Sequence, residues 1–446
     1  MSEYIDLSND IIKLALKKSA DEVEVFIETA RESEVSTRMG EVEILKESTS
    51  QGLGIRVFKN RRMGFAFTSD FTKNHLEDLA QTAVDLSEQA SEDEFNGLPE
   101  LVIDETIDLD LFDPKLAELE PTWKIDTCKR MEKRMFDYDK RINNSEGAAF
   151  YDGDATIFIS NSRGLSHSFK SSYSYLYCVP VAVEDGKLQT GHWFSFKRHF
   201  DDLDGPEKVA EIAAERVVRM LGATTPKTAR VPVVFDPLTA ASFVGGILSA
   251  VNGDAVFKRA TYLVDKLNQQ IASEKVTIMD DGRLKKGLAS SPVDGEGLPT
   301  VNKEIINNGK LATYMYDTYT ARKAKTISTA NAQRGHSSTP DIGGFNFYMQ
   351  AGDYSPDDII GSVKNGLYIT NLMGFGADMV TGDYSQGASG LWIENGKLAG
   401  PVEGLTVASN MLEMMRNIEM IGNDLTMMGP ISSPTFKISE MTVAGS

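Results

Sequence analysis

A chain of 446 residues exceeds what one hydrophobic core usually serves, so two domains are expected. With 41% hydrophobic and 25% charged residues it is neither disordered nor, lacking any stretch near the roughly 18 apolar residues a span needs, a helical membrane protein. A formal net charge of −19 excludes a phosphate-backbone binder unless the basic residues gather on one face.

Ser8 or Asp10 can cap a first helix carrying Ile11, Ile12, Leu14, Ala15 and Leu16. The period then changes: Val23, Val25 and Ile27 alternate with Glu22, Glu24 and Glu28 as a half-buried strand. Further alternating runs cover Val35 to Met39, Val42 to Leu45, Leu53 to Phe58 and Met63 to Thr68, punctuated by Gly40, by Gly52 and Gly54, and by Lys59-Asn60-Arg61-Arg62. This densest basic run reads as a solvated hairpin tip, and the whole as an antiparallel meander. A long helix follows from about Thr72 to Ala90, then an acidic crossing segment over residues 91–121. A second round begins with a helix at about Thr122 to Lys140 and strands over Ala155 to Ser160, Leu165 to Tyr177 and Cys178 to Glu184. It ends with an amphipathic helix, Glu207 to Leu221, closed by Gly222. The repeated order of helix, strands and helix hints at an internal duplication.

After Thr224-Thr225-Pro226-Lys227 the character shifts. Val231 to Phe235 is a short buried-type strand, and Asp236-Pro237 opens a small-residue helix through Ala250. Short strands follow at Thr300 to Ile306, Lys310 to Tyr316, Phe345 to Gln350, Gly366 to Asn371, Gly390 to Glu394 and Val402 to Ala408. Helices are expected near Pro356 to Val363 and Ser409 to Ile418. The fold class is therefore α+β: an N-terminal α+β domain over 1–225 with antiparallel strands and long helices, and a mostly antiparallel β domain over 226–446.

Common catalytic spacings are missing. There is no phosphate loop, no dinucleotide fingerprint and no Gly-x-Ser-x-Gly elbow, since Gly387-Ala388-Ser389-Gly390 closes one place early. The cysteines Cys128 and Cys178 lie far apart, which excludes a disulfide framework or Cys-x-x-Cys metal site. The histidines His75, His167, His192, His199 and His336 form no His-Glu-x-x-His pair. His192 and His199 flank the aromatic strand Trp193-Phe194-Ser195-Phe196 and read as structural; His336 sits in a polar loop where it could touch a ligand. Asp294 and Glu296, in Ser291-Pro292-Val293-Asp294-Gly295-Glu296-Gly297, could serve acid–base chemistry, bind a hard cation or simply form a turn. Thr381-Gly382-Asp383-Tyr384-Ser385 is similar, and Asp280-Asp281-Gly282 reads as a hairpin turn. The acidic start Met1-Ser2-Glu3-Tyr4-Ile5-Asp6 lacks a secretory leader's basic-then-apolar order, so the cytoplasm is expected.

Several C-terminal segments, in order and spacing, resemble the TldD/PmbA family. They are Val276 to Gly297, Tyr319-Thr320-Ala321-Arg322-Lys323, Gly374 with Thr381 to Ser385, Trp392-Ile393-Glu394-Asn395-Gly396, and Ile421-Gly422-Asn423-Asp424. The likeness is strong over about 230–446 and weaker before it, where Gly52 to Val57 takes part. In that family the active TldD-type subunit carries His-Glu-x-x-x-His on a helix, with further zinc ligation from a downstream cysteine. Anchored on Gly253-Asp254, an ungapped placement sets Val244 and Ser249 at the two histidine positions and Gly245 at the glutamate. None supplies an imidazole or a general base, and no cysteine follows Cys178. The resemblance thus implies a PmbA/TldE-type subunit without zinc of its own, inactive alone. Its TldD-like partner would hold the zinc, and together they would act on extended or unfolded peptides. The family is also associated with peptide-antibiotic maturation, antitoxin removal and an older genetic link to DNA gyrase, which the charge balance does not support. Pairing with a second copy of the chain is a further expectation; nucleic-acid and membrane partners are not. The peptide surface is expected along Asp294, Glu296 and Gly297 and along Thr381, Gly382, Asp383, Tyr384 and Ser385, where backbone edges could accept an added strand. Two readings compete: an independent hydrolase whose site no motif here marks, with those acidic loops as one candidate, and a peptide-binding or chaperone-like protein without a peptidase role.

Overall fold

The computed structural model describes residues 2–102 and 107–445. Met1, Ser446 and 103–106 of the acidic crossing segment lie outside the described residues, as do the side chains of Ser2 and Glu3.

The first half contains α1 (Ser2–Lys17), β1 (Glu22–Arg38), β2 (Glu41–Lys59), β3 (Arg62–Thr68), α2 (Lys73–Gln89), α3 (Pro121–Tyr138), β4 (Ile142–Asn161), β5 (Ser166–Glu184), β6 (Lys187–Thr190), β7 (Trp193–Lys197) and α4 (Pro206–Val218). Its sheet runs β3-β2-β1-β4-β5-β6, with β7 also on β5. Period-2 alternation assigns the faces. Odd-numbered Val23, Val25 and Ile27 turn to α1 and α2, meeting Ile11, Ala15, Leu79 and Ala83. Val35, Phe150, Leu176 and Cys178 turn to α3 and α4, against Met131, Met135, Val209 and Ala213. Both buried thiols are pushed up to about 12 by that burial.

Two expectations are corrected here. The runs around Gly52 and Gly54 belong to one strand, β2, which pairs with β1 from end to end apart from one bulge. A Cβ at Gly52 would stand 2.0 Å from the His336 ring, and one at Gly54 2.2 Å from the His336 carbonyl oxygen. These glycines mark the close approach of another segment, not turns. The turns fall at Met39-Gly40 and at Asn60-Arg61, whose φ values are all positive. Helix α1 also starts before Ser8, whose buried hydroxyl accepts from Ser160 on β4 at 2.7 Å instead of capping.

The second half contains β8 (Ala229–Phe235), α5 (Pro237–Ala250), α6 (Gly253–Phe257), β9 (Ile278–Asp281), β10 (Asn302–Asn307), β11 (Lys310–Leu311), α7 (Thr318–Lys323), β12 (Ala332–Gln333), β13 (Asp341–Ile342) and β14 (Asn346–Met349). It continues with α8 (Pro356–Gly361), β15 (Asn365–Met373), β16 (Asp383–Glu394), β17 (Lys397–Asn410), α9 (Met411–Arg416), β18 (Ile418–Ile421), β19 (Ile431–Ser432) and β20 (Phe436–Ala444). One sheet runs β17-β16-β15-β8-β20-β18, and β17 also pairs with β20, so five strands close into a ring. The other runs β11-β10-β9-β14-β19. Most pairings are antiparallel; β8–β15 and β14–β19 are parallel. Helix α5 touches β8 and β15 of the first sheet and β14 and β19 of the second. The Phe235 and Phe436 rings stack within this shared core, and the Phe243 ring packs tilted against both.

Asp280 and Asp281 are a correction: they lie in β9 and not in a hairpin turn. Asp280 is fully buried, and its carboxylate accepts from Lys303 Nζ at 2.9 Å, Asn331 Nδ2 at 2.8 Å and Phe345 N at 2.6 Å. That satisfaction is what allows a carboxylate in a central strand. The strand expected over Lys310 to Tyr316 shrinks to Lys310–Leu311, and the helix near Ser409 to Ile418 gives way to β18 at Ile418.

Candidate functional site

Helix α5 carries the residues that the resemblance places at a metal site. Its N-cap, Asp236, accepts from Thr239 N at 2.9 Å and from Arg216 Nη1 of α4 at 3.0 Å, tying the helix start to the other half of the molecule. Val244 is wholly enclosed in the core. A Cβ at Gly245 would meet Ile431 Cδ1 at 3.5 Å, an ordinary contact. Ser249 is exposed and donates back to the Gly245 carbonyl at 3.3 Å. This donor set does not fit zinc, which takes imidazole, thiolate or carboxylate. Among the described residues, no three His, Cys, Asp or Glu side chains converge on a point where an ion could sit.

Close to Ile431, Met428 and Gly429 border an apolar cleft of about 460 Å³ whose other wall is Tyr151, Tyr173, Tyr175, Phe194 and Phe196. These rings stand on β4, β5 and β7, on the sheet face turned away from the helices. Tyr175 lies 5.9 Å from Tyr151, 5.6 Å from Phe194 and 5.4 Å from Phe196, centroid to centroid. The alternation Tyr173, Tyr175, Tyr177 was visible in the sequence, but not the cross-strand register that gathers the rings. His192 lies 6.1 Å from Tyr177 on this face, while His199 Nε2 meets the Asp110 carbonyl at 2.9 Å.

The turn holding Asp294, Glu296 and Gly297 faces inward. Asp294 Oδ1 accepts from Glu296 N and Leu298 N, both at 2.9 Å, and its Oδ2 from Ala332 N at 3.2 Å. Burial, then Glu296, pushes its carboxyl above the usual range against those three donors. Glu296 accepts from Thr318 N at 2.9 Å and from Arg56 Nη2 at 3.0 Å. The same Arg56 nitrogen reaches Glu24 at 3.1 Å, and Glu24 also receives Arg334 Nη1. The Arg334 guanidinium lies between the Phe26 and Phe65 rings, 5.0 and 5.7 Å from their centroids. Burial works against both cations. It pulls Arg334 down to about 10, whereas Glu24 and Glu296 outweigh it at Arg56, whose pKa is raised. Arg334 Nε and Nη2 and Arg56 Nε have no hydrogen-bond partner among the described residues. His336 completes the contact, its Nδ1 3.0 Å from Glu28. Gly297, at φ +82°, sits where a Cβ would strike Leu165. This network joins the two halves, and sequence reasoning found its acids but not its arginines.

Thr381 to Ser385 lies elsewhere, with separate partners. Thr381, Asp383 and Ser385 are exposed while Tyr384 turns inward and donates to Gln386 Oε1 at 2.7 Å. Asp383 accepts from Asn410 Nδ2 at 3.2 Å, and Gly382, at φ +78°, accepts from Met411 N at 2.7 Å. Ser385 N donates to the Gly376 carbonyl at 3.1 Å, so the segment around Ala377 already occupies that edge.

Three family models match in succession: PmbA/TldA metallopeptidase domain 1 over residues 23–87, the central domain over 114–221 and the C-terminal domain over 228–445. The chain is 34% identical to the metalloprotease PmbA of Escherichia coli O157:H7 over 437 residues, covering 97% of this chain and 94% of the relative. It belongs to the PmbA/TldD metallopeptidase family. A metalloprotease TldD homologue of Buchnera aphidicola is 34% identical, but over 44% of each chain only. Among solved structures, one from Bacteroides thetaiotaomicron, named as a candidate modulator of DNA gyrase, superposes with a TM-score of 0.93 at 26% identity and covers both chains fully. TldE from Thermococcus kodakarensis superposes with a TM-score of 0.91 over 98% of this chain and 100% of its own; at 24% identity it speaks for the fold alone.

Proposed function

We propose that this chain is the non-catalytic, metal-free PmbA/TldE-like subunit of a cytoplasmic TldD-type metallopeptidase that acts on extended or unfolded peptides. The observation that carries the reading is α5. The helix keeps a central place between two sheets, yet offers Val244, Gly245 and Ser249 where a zinc peptidase of this family needs two imidazoles and a carboxylate. Zinc then belongs to a TldD-like partner, and this chain shapes the cavity and holds the peptide; without the partner, two copies of this chain pair. Among the described residues no helix is long and apolar enough to cross a membrane, which accords with a cytoplasmic site of action. An independent hydrolase working through Asp294 and Glu296 is disfavoured, because both carboxylates are buried and engaged.

The test is digestion of an unfolded peptide by the TldD-like partner, by this chain and by both, with metal analysis of each. Cleavage is expected from the mixture, sensitive to chelator, with no bound zinc in this chain. Chelator-sensitive cleavage by this chain alone would overturn the reading, as would a mixture no different from the partner alone.

A further inference from the structure

The second face of the N-terminal sheet is covered along only part of its length. Even-numbered residues of β1 alternate onto it. At one end, Glu24, Phe26 and Glu28 lie beneath Arg334 and His336. Farther along, Glu32 is exposed and Glu34 only half-buried. Register continues their rows across the sheet: Glu34 is opposite Tyr151, Tyr151 opposite Tyr175, and Tyr175 opposite Phe196. The neighbouring row brings Tyr177 opposite Phe194. Six half-buried rings thus form a platform, and the cleft along it ends at Met428 and Gly429, beside the Ile431 that meets α5.

The charge around the platform is mostly negative. Burial, then Glu34, raises the Tyr151 hydroxyl pKa. Burial, then Glu32 and Asp152, does so at Tyr173 against Arg31, and burial, then Glu146, at Tyr177. Arg31 is itself paired with Asp152 and Asp154, Lys197 at the border donates to the Met427 carbonyl at 3.4 Å, and Lys46, opposite Glu34 on β2, is exposed and set against Glu32, Glu34 and Glu146. Aromatic faces ringed by carboxylates attract cations twice, through the ring quadrupole and through charge.

We propose that this uncovered face binds an extended peptide segment in which Lys or Arg alternates with apolar side chains. The cations lie over Tyr151 and Tyr175 against Glu32 and Glu34. The apolar side chains, which alternate to the segment's other face, meet Met428 and Gly429 on the opposite wall of the cleft, which points the segment toward α5. The inference rests on the reading of the chain as a peptidase subunit and adds its substrate class and its surface. An acidic segment would meet Glu32, Glu34 and Glu146 and be repelled.

The experiment is fluorescence anisotropy of the full chain with two labelled ten-residue peptides, one alternating Lys with Leu and one alternating Glu with Leu. The Lys peptide is expected to bind at least tenfold more tightly, with an advantage that shrinks as salt rises. Tyr175→Leu, which keeps apolar volume and removes the ring, and Glu34→Gln should each weaken it by about threefold or more. Equal affinity for the two peptides, or unchanged binding by both variants, overturns the proposal. If Tyr175→Leu fails to fold by circular dichroism, Glu34→Gln at its half-buried position decides. Variants that lose the TldD-like partner while the free chain keeps its peptide affinity would make this face a subunit interface and also overturn it. Binding of the Lys peptide as expected, with no effect of this chain on the partner's cleavage, would sink the peptidase-subunit reading and leave this one standing.

Discussion

Two acidic, glycine-bounded turns look alike in the chain and end in opposite environments. Asp294 and Glu296 are buried and engaged by Arg56, by the Thr318 amide and by three backbone donors. Thr381 to Ser385 leaves Thr381, Asp383 and Ser385 in solvent and turns in only Tyr384. What separates them is the structure brought over each. Arg56 comes from 240 residues earlier in the chain to meet Glu296. A carboxylate under such cover must be paired, and once paired it joins what it touches. The same chemistry facing solvent reaches only the adjacent start of α9, through Asn410 and Met411.

Breaking the first turn's pairing should have the largest effect. Arg56→Met leaves Glu24 and Glu296 facing each other without their shared cation, and should cost about 3–5 kcal/mol in denaturant unfolding. Asp383→Ala is expected to leave the unfolding midpoint unchanged; equal effects would erase the contrast between the turns. Gly52→Ala probes the same contact between halves from the sheet side. Its Cβ would fall 2.0 Å from the His336 ring, so about 1–3 kcal/mol of overpacking is expected. A smaller effect should appear with pH. His192, lowered by burial and then by Arg216, and His167, lowered by burial, take up a proton less readily in the folded chain than in the unfolded one. The unfolded chain takes up those protons as pH falls through about 6.5, so stability is lost on acidification across that window. His192→Gln should flatten the loss between about pH 7 and 5 relative to the parent, without altering stability above it; an unchanged slope would mean that folding does not lower the His192 pKa.

Much of the fold was legible because burial imposes periods. Val23, Val25 and Ile27 announce a strand, and the apolar spacing of α2 and α3 places both helices within two residues of the expected bounds. Strand length was not legible. Gly52 and Gly54 looked like breaks until the His336 segment explained them. β20 escaped because its pattern is interrupted by Lys437, only 8% exposed, whose Nζ reaches Ser362 Oγ and Glu419, both at 3.0 Å. The platform was half legible: the tyrosines alternate in sequence, but only the pairing of β4, β5 and β7 puts Tyr151, Tyr175 and Phe196 in one row.

The sequence alone determined which ligands α5 could offer, because side-chain identity needs no folding: Val244, Gly245 and Ser249 carry no imidazole, thiolate or carboxylate in any conformation. It also determined the elements whose spacing follows from local geometry. Only the tertiary structure decided which carboxylates would be buried, which arginines would reach them and which aromatic face would stay open. Those outcomes depend on contacts between residues hundreds of positions apart, and the cost of burying a charge is set by the partner that arrives and not by its neighbours in the chain.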